Sequence, residues 1–184
     1  MYLQKKVYVK NWSHNPPEDT YTFLVKRGGK KLPKEVLNPK KIYEITEEVA
    51  YWRKANQIHN WFVKNVVDDE DTYIGEDTWV SRENLEKLLD VCEQVIKASK
   101  LVKGEIQNGI KYEDGKAIAI MEKGKYIKDP TVAQELLPTQ EGFFFGSTEY
   151  NEWYLDDVKY TVKMLKEALK DTSDTGSFYY SASW

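Results

Sequence analysis

Ile45-Thr46-Glu47-Glu48-Val49-Ala50-Tyr51-Trp52-Arg53-Lys54-Ala55-Asn56-Gln57-Ile58-His59-Asn60-Trp61-Phe62-Val63 is the stretch around which the chain is organised. At about 100° per residue, Tyr51, Ala55, Ile58, Phe62 and Val66 fall on one face, the spacing of a helical core stripe. Trp52 and His59 border that stripe, Asn56 lies just beyond them, and Arg53, Gln57, Asn60 and Lys64 point away. Thr46 is placed to cap this helix, with Glu47 and Glu48 in the first turn where the helix dipole favours them. A helix carrying Trp, Asn and His together on its core edge can wall a pocket.

Upstream of that helix, residues 3–12 end in an alternating pattern that reads as a strand. Asn15-Pro16-Pro17 breaks it, Tyr21–Lys26 reads as a second strand, and Gly28-Gly29 turns the chain. The prolines at 33 and 39 keep the next stretch irregular, and Lys41–Ile45 is a short third strand. Downstream, Asp68–Asp71 forms an acidic loop and Thr78-Trp79-Val80 an extended piece. Ser81 caps a second helix, Arg82 to about Ser99, with Leu85, Leu88, Leu89, Cys92, Val95 and Ile96 on its buried stripe. In residues 103–129 the one apolar run, Ala117–Met121, fits helix and strand equally. Thr131–Leu137 supplies one or two helical turns, and Phe143-Phe144-Phe145 a buried strand. Gly146-Ser147-Thr148 opens a third long helix, about Glu149 to Lys170, and Phe178–Ala182 is a closing strand. The predicted fold is α+β, one domain over 1–184, with three principal helices packed on a small, mostly antiparallel sheet.

Composition narrows the function classes. The chain has 184 residues, 41% hydrophobic and 31% charged, as expected of one soluble domain. Six Trp, thirteen Tyr and six Phe make it 14% aromatic, enough both for a core and for stacking on planar ligands. A net charge of −3 argues against DNA or RNA as partner. A single cysteine, Cys92, excludes an intrachain disulfide and a multi-cysteine zinc site, and its apolar helical position reads as buried and inert. No signal peptide and no apolar run near about 18 residues is present, so no membrane partner and a cytoplasmic location are expected.

Three strings carry a family resemblance: Asn11-Trp12-Ser13-His14-Asn15-Pro16-Pro17, Tyr51 to Phe62, and Leu137-Pro138-Thr139-Gln140-Glu141-Gly142-Phe143-Phe144-Phe145-Gly146-Ser147-Thr148-Glu149-Tyr150. They resemble a protein family found in phages, prophages and other bacterial genomes, and the resemblance covers most of the chain. It brings no catalytic residue and no ligand with it. It implies an accessory phage-borne role, in which binding a host protein and binding a host metabolite are both reasonable. Proteins of that family begin a few residues earlier, which implies a natural start upstream of Met1.

Candidate sites follow from side-chain chemistry. Phe145-Gly146-Ser147-Thr148, a strand passing through Gly into a helix start, can present free amides and two hydroxyls to a phosphate or carboxylate. An ordinary cap by Ser147 or Thr148 is the commoner use of such a sequence. His14 and His59 are the two histidines, and no carboxylate stands at a matching helical spacing beside His59, so no metal site is expected. A polar pocket joining Asn11, Trp12 and His14 to Asn56 and His59 requires the first strand to pass beside the first helix, and Trp52 and Thr139 are further ligand-binding candidates. Arg53 can fork onto an anion, although an exposed surface role is its plainer reading. Trp61 belongs to a partner surface if exposed and to helix packing if buried. The acidic run from Asp68 to Asp77 lacks the ligand spacing and central Gly of a calcium loop.

Three functions are compatible with these residues. The first is non-enzymatic binding of an anionic, nucleotide-like small molecule, in a phage setting a sponge for a host immune signal. The second is a protein-interaction module, as a homo-oligomer or as an inhibitor of a host protein. The third is a small hydrolase built on His14 and His59. No cofactor is expected. The first requires Trp12, Asn56, His59 and Ser147 to converge on one pocket, and the second a flat aromatic patch containing Trp61 or a self-complementary face.

Overall fold

The computed structural model of the protein describes residues 1–67, 77–113, 115–142, 146–171 and 176–182. In chain order the first half contains β1 (Tyr2–Tyr8), β2 (Lys26–Arg27), β3 (Lys30–Lys31), β4 (Glu44–Tyr51), α1 (Asn56–Val66) and β5 (Thr78–Val80). The second half contains α2 (Arg82–Ala98), β6 (Leu101–Glu113), β7 (Lys116–Ile127), α3 (Thr131–Leu136), α4 (Glu152–Ala168) and β8 (Ser177–Ser181). The fold is α+β, and every strand pair is antiparallel.

Half of the expected first helix is a strand. β4 pairs with β1 from Tyr51 opposite Tyr2 to Glu44 opposite Tyr8. Ile45, Thr46 and Val49 are β-branched and stiff at χ1, and a ladder partner decides a segment whose periodicity fits a helix as well. Thr46 is therefore exposed in mid-strand and is not a helix cap. The chain then passes Lys54 at φ 65 and turns at Ala55 (φ −76, ψ 74), where Asn56 N–H donates to Lys54 O at 2.9 Å. These are the dihedrals of an inverse γ-turn, and α1 starts directly after it.

Four strands form the main sheet in the order β4-β1-β8-β5. Cross-strand partners share a face, so Leu3, Ala50, Tyr180, Phe178 and Val80 look inward and all are buried. α1 lies on this inner face, and every residue from Asn56 to Val63 is buried. The Phe62 ring stacks on Tyr180 at 4.0 Å and 10°. Trp61 is buried edge-on against Phe62 at 5.4 Å, so it belongs to helix packing rather than to a partner surface. Leu85, Leu88, Cys92 and Val95 of α2, with Tyr154, Leu155, Val158 and Leu165 of α4, complete the core. Burial pushes the Cys92 thiol up to about 12, which leaves it protonated and inert.

Two other expectations are corrected, and one open reading is decided. Ala117–Met121 lies in β7, part of a long hairpin with β6. The third long helix starts at Glu152, because Asn151 Oδ1 accepts from Trp153 N–H at 3.0 Å and Tyr154 N–H at 3.2 Å and so takes the cap that Ser147 or Thr148 was expected to supply. Tyr21–Val25 is not a strand: the only ladder there joins Lys26–Arg27 to Lys30–Lys31. From Lys10 to Tyr43 no residue is buried. Ser81 caps α2 as read from sequence, and Phe143–Phe145 and Asp68–Asp71 lie outside the described residues.

Both corrected helix starts are testable by urea denaturation. Asn151→Ala is expected to cost about 1–2 kcal/mol through loss of a two-bond cap. Thr46→Ala, exposed in a strand, is expected to change stability by less than about 0.5 kcal/mol. The opposite ranking would place the first long helix at Thr46.

Candidate functional site

Two loops meet at the start of α1 and are held there by amide side chains. Asn56 Nδ2–H donates to Ser147 O at 2.9 Å, and Asn56 Oδ1 accepts from Gln140 N–H at 3.1 Å. Asn60 Nδ2–H donates to Pro138 O at 3.0 Å. Thr139 Oγ1–H reaches Thr148 O at 3.1 Å, which ties the 138–140 loop to the 146–151 loop. Gly146 sits at φ 79, and a Cβ there would stand 3.2 Å from Lys54 Cβ. Only glycine lets this loop lie so close to the Lys54 backbone, itself left-handed at φ 65.

Between these loops and the first turns of α4 lies a cleft of about 250 Å³. Arg53 and Lys54 form its exposed rim, and neither has an ion pair among the described residues. Trp153, 40% exposed, stands at another side. Gln57 and Asp157 line it too, Gln57 Nε2 donating to Asp157 Oδ2 at 3.5 Å. Burial raises the Asp157 carboxyl from 3.8 to about 6; Asp156 pushes it the same way and the Gln57 bond opposes. Glu149, also lining, is engaged by Gln107 N–H at 2.9 Å. The cleft thus joins two uncommitted cations, one exposed indole and a carboxyl poised near neutrality, the mixture expected where a polar ligand is held.

The sequence candidates divide into three groups. Arg53, Gly146 and Ser147 line the cleft, while Asn56, Thr139 and Thr148 do not line it: Asn56 bonds the Ser147 and Gln140 backbone and Thr139 the Thr148 carbonyl, behind the cleft. Trp52 and His59 are core residues: Trp52 Nε1–H donates to Thr161 Oγ1 at 2.9 Å, and His59 Nδ1 shares a 2.7 Å hydrogen bond with Tyr180 OH. Asn11, Trp12 and His14 lie elsewhere, on the arm that leaves β1 after Tyr8. Asn11 exchanges hydrogen bonds with the Tyr21 backbone, and Trp12 stacks on His14 at 6.3 Å with Lys10 Nζ over its face at 3.7 Å.

The β1–β4 register explains that separation. α1 departs from the Tyr2–Tyr51 end of the ladder and the arm from the Tyr8–Glu44 end, about 20 Å away at 3.3 Å per residue. The expected pocket joining Trp12 and His14 to Asn56 and His59 is not formed, and neither histidine lines the cleft. Phe145 lies outside the described residues. Sequence reasoning missed Lys54, Gln57, Trp153 and Asp157 as site residues. Trp153 and Asp157 share a face of α4 at i, i+4, a spacing that pointed to both once the helix was placed. Among the described residues no cluster of three or more His, Cys, Asp or Glu is arranged to hold a metal.

Asp157 makes stability depend on pH with a defined sign. Its folded pKa, about 6, lies above the unfolded 3.8, so the folded state binds the proton more tightly. That contribution is complete below the unfolded pKa and is lost as pH rises through about 6, a loss of roughly 3 kcal/mol at most. Asp157→Asn should therefore flatten the stability profile between pH 4 and 6 and be relatively more stable than the parent at pH 7, as read by urea denaturation across pH. An unchanged profile would remove Asp157 as a perturbed group.

Comparison with protein-family models, with curated proteins and with solved structures finds no match to this chain.

Proposed function

We propose that this protein binds, without turning it over, an anionic and partly planar small molecule of nucleotide type in the cleft between α1 and α4, a different site from the Trp12–Asn56–His59–Ser147 pocket expected from the sequence, which the fold does not form. The observation that carries the reading is the pair Arg53–Lys54, two adjacent exposed cations with no ion pair among the described residues, on the rim of a concavity. A phosphate stationed there gains charge-assisted hydrogen bonds without displacing an existing carboxylate partner. The Trp153 indole offers a stacking face for a base. Asp157 and Gln57 supply an acceptor and an amide to the polar edge of that base, with Asp157 partly protonated near pH 6. The family likeness in the Tyr51–Phe62 and Leu137–Tyr150 strings extends the reading to a phage-borne sponge that sequesters a host nucleotide signal.

A second reading, docking of a protein partner, is favoured by a different surface. The outer face of the main sheet carries Tyr2, Tyr51, Tyr179 and Trp79, with Tyr2 and Tyr51 in ring contact at 4.9 Å and Trp79 59% exposed. Aromatic residues of this kind are common anchors at interfaces.

A thermal-shift series with mononucleotides, dinucleotides and cyclic nucleotides tests the first reading. A ligand at a hundred times its Kd is expected to add about 2.7 kcal/mol, a Tm rise of roughly 5–10 °C for a chain of this size. Arg53→Ala with Lys54→Asn, the latter chosen because Asn tolerates a left-handed backbone, should abolish the rise and leave the ligand-free Tm nearly unchanged. A series with no shift, or a shift that survives the double substitution, would overturn the reading.

A further inference from the structure

The segment from Lys10 to Tyr43 inserts into the β1–β4 hairpin and contains no buried residue. Many of its apolar side chains face solvent, with Leu24 65% and Val36 68% exposed and Trp12, Tyr21 and Leu37 also exposed, while Phe23, Val25, Leu32 and Ile42 are half-buried. Ordering a residue costs about 1–2 kcal/mol in backbone entropy, and in this arm no core offsets it. The arm is also the basic part of the molecule. It carries eight Lys and Arg against Glu18, Asp19 and Glu35, a net of +5, so the rest of a chain whose net charge is −3 carries −8.

Within the arm, Tyr21-Thr22-Phe23-Leu24-Val25 has the β-branched and aromatic alternation of a strand; Asn11 and Leu32 bond the backbone of Tyr21 and Val25 along one edge, and the other edge, that of Thr22 and Leu24, has no ladder partner among the described residues. In the body, β4 is an outer strand: β1 occupies one side, and among the described residues no strand occupies the other. That strand reads Glu44-Ile45-Thr46-Glu47-Glu48, acidic and exposed throughout. A strand sequence with one open edge in a basic arm and an acidic strand edge with no neighbour among the described residues are complementary in both hydrogen bonding and charge.

We propose that the arm is an intermolecular docking element that lays Tyr21–Val25 along the β4 edge of a second copy of this chain. Main-chain hydrogen bonds supply the affinity, and Lys26, Arg27, Lys30 and Lys31 meet the glutamates of β4. The arm and the β4 edge belong to the same chain, so reciprocal exchange closes a twofold dimer. The nucleotide cleft opens at the other end of the β1–β4 ladder and stays accessible in this arrangement.

Sedimentation equilibrium of the full chain tests this at about 100 μM protein, in low salt and in about 1 M salt, where charge attraction is screened. Dimer at low salt that weakens at least tenfold at high salt is expected. Replacing residues 13–41 by a short Gly-Ser linker should give monomer with an unchanged Tm, since the arm adds nothing to the core. Leu24→Pro should weaken association at least tenfold, because proline cannot complete a ladder. Lys26, Lys30 and Lys31→Glu should do the same, and Glu47→Lys with Glu48→Lys on the second copy should restore pairing in the mixture. A parent chain that is monomeric in both salts, or an arm-replaced chain that still associates, would overturn the proposal. The latter outcome would transfer the interface to the aromatic sheet face.

Discussion

The stack of Phe62 on Tyr180 is the contact on which the other interactions depend. It joins the first helix to the last strand, and the same tyrosine hydroxyl meets His59 one helical turn away. Trp52 and Trp61 lean on Phe62 from two sides, so three large rings are positioned by one. With α1 seated by this cluster, its first turn stands at a defined height above the sheet, and Asn56 and Asn60 fix the loops at 138–140 and 146–151 together with the loops' own Thr139–Thr148 and Thr139–Tyr150 hydrogen bonds. The polar residues of α1 are buried because each has a backbone carbonyl, an amide or a side chain to meet, which is the condition for burying them at all.

Two neighbours in the sequence, Arg53 and Lys54, are the part of this arrangement turned toward solvent. The γ-turn at Ala55 and the left-handed Lys54 are needed to change from strand to helix within a few residues, and they leave both cations on the cleft rim. Glycine at 146 follows from the same geometry, since the loop has to close over the Lys54 backbone. The cleft is thus a by-product of how β4 becomes α1, and its chemistry comes from residues that the turn leaves unpaired.

Much of the fold was legible in the sequence, and the places where it was not have physical causes. The apolar stripe of α2, its Ser81 cap and the closing aromatic strand follow from periodicity and capping chemistry alone. Ile45–Tyr51 did not, because a β-branched run with helical spacing is decided by whether a partner strand is present, which is a fact about Tyr2–Tyr8. The α4 start was misplaced because three side chains in five residues, Ser147, Thr148 and Asn151, are all good caps and only packing chooses among them. For the candidate site, Arg53, Gly146 and Ser147 of two motif strings line the cleft, but Trp12, His14 and His59 were drawn toward it by residue type. Their real positions follow from register and from the hydrophobic demand for His59 beside Tyr180.

β1 lies between β4 and β8, so the second strand from one edge of the sheet is flanked by a segment near residue 46 and by one near residue 180. A ribosome delivering this chain would have completed every helix before the strand that closes the sheet emerged. Until then Leu3 of β1 and Phe62 of α1 lack the contact that each makes with Tyr180 in the folded protein. Closing the sheet therefore waits on a pairing between residues near 3 and residues near 180, a long-range closure that loop entropy makes slow.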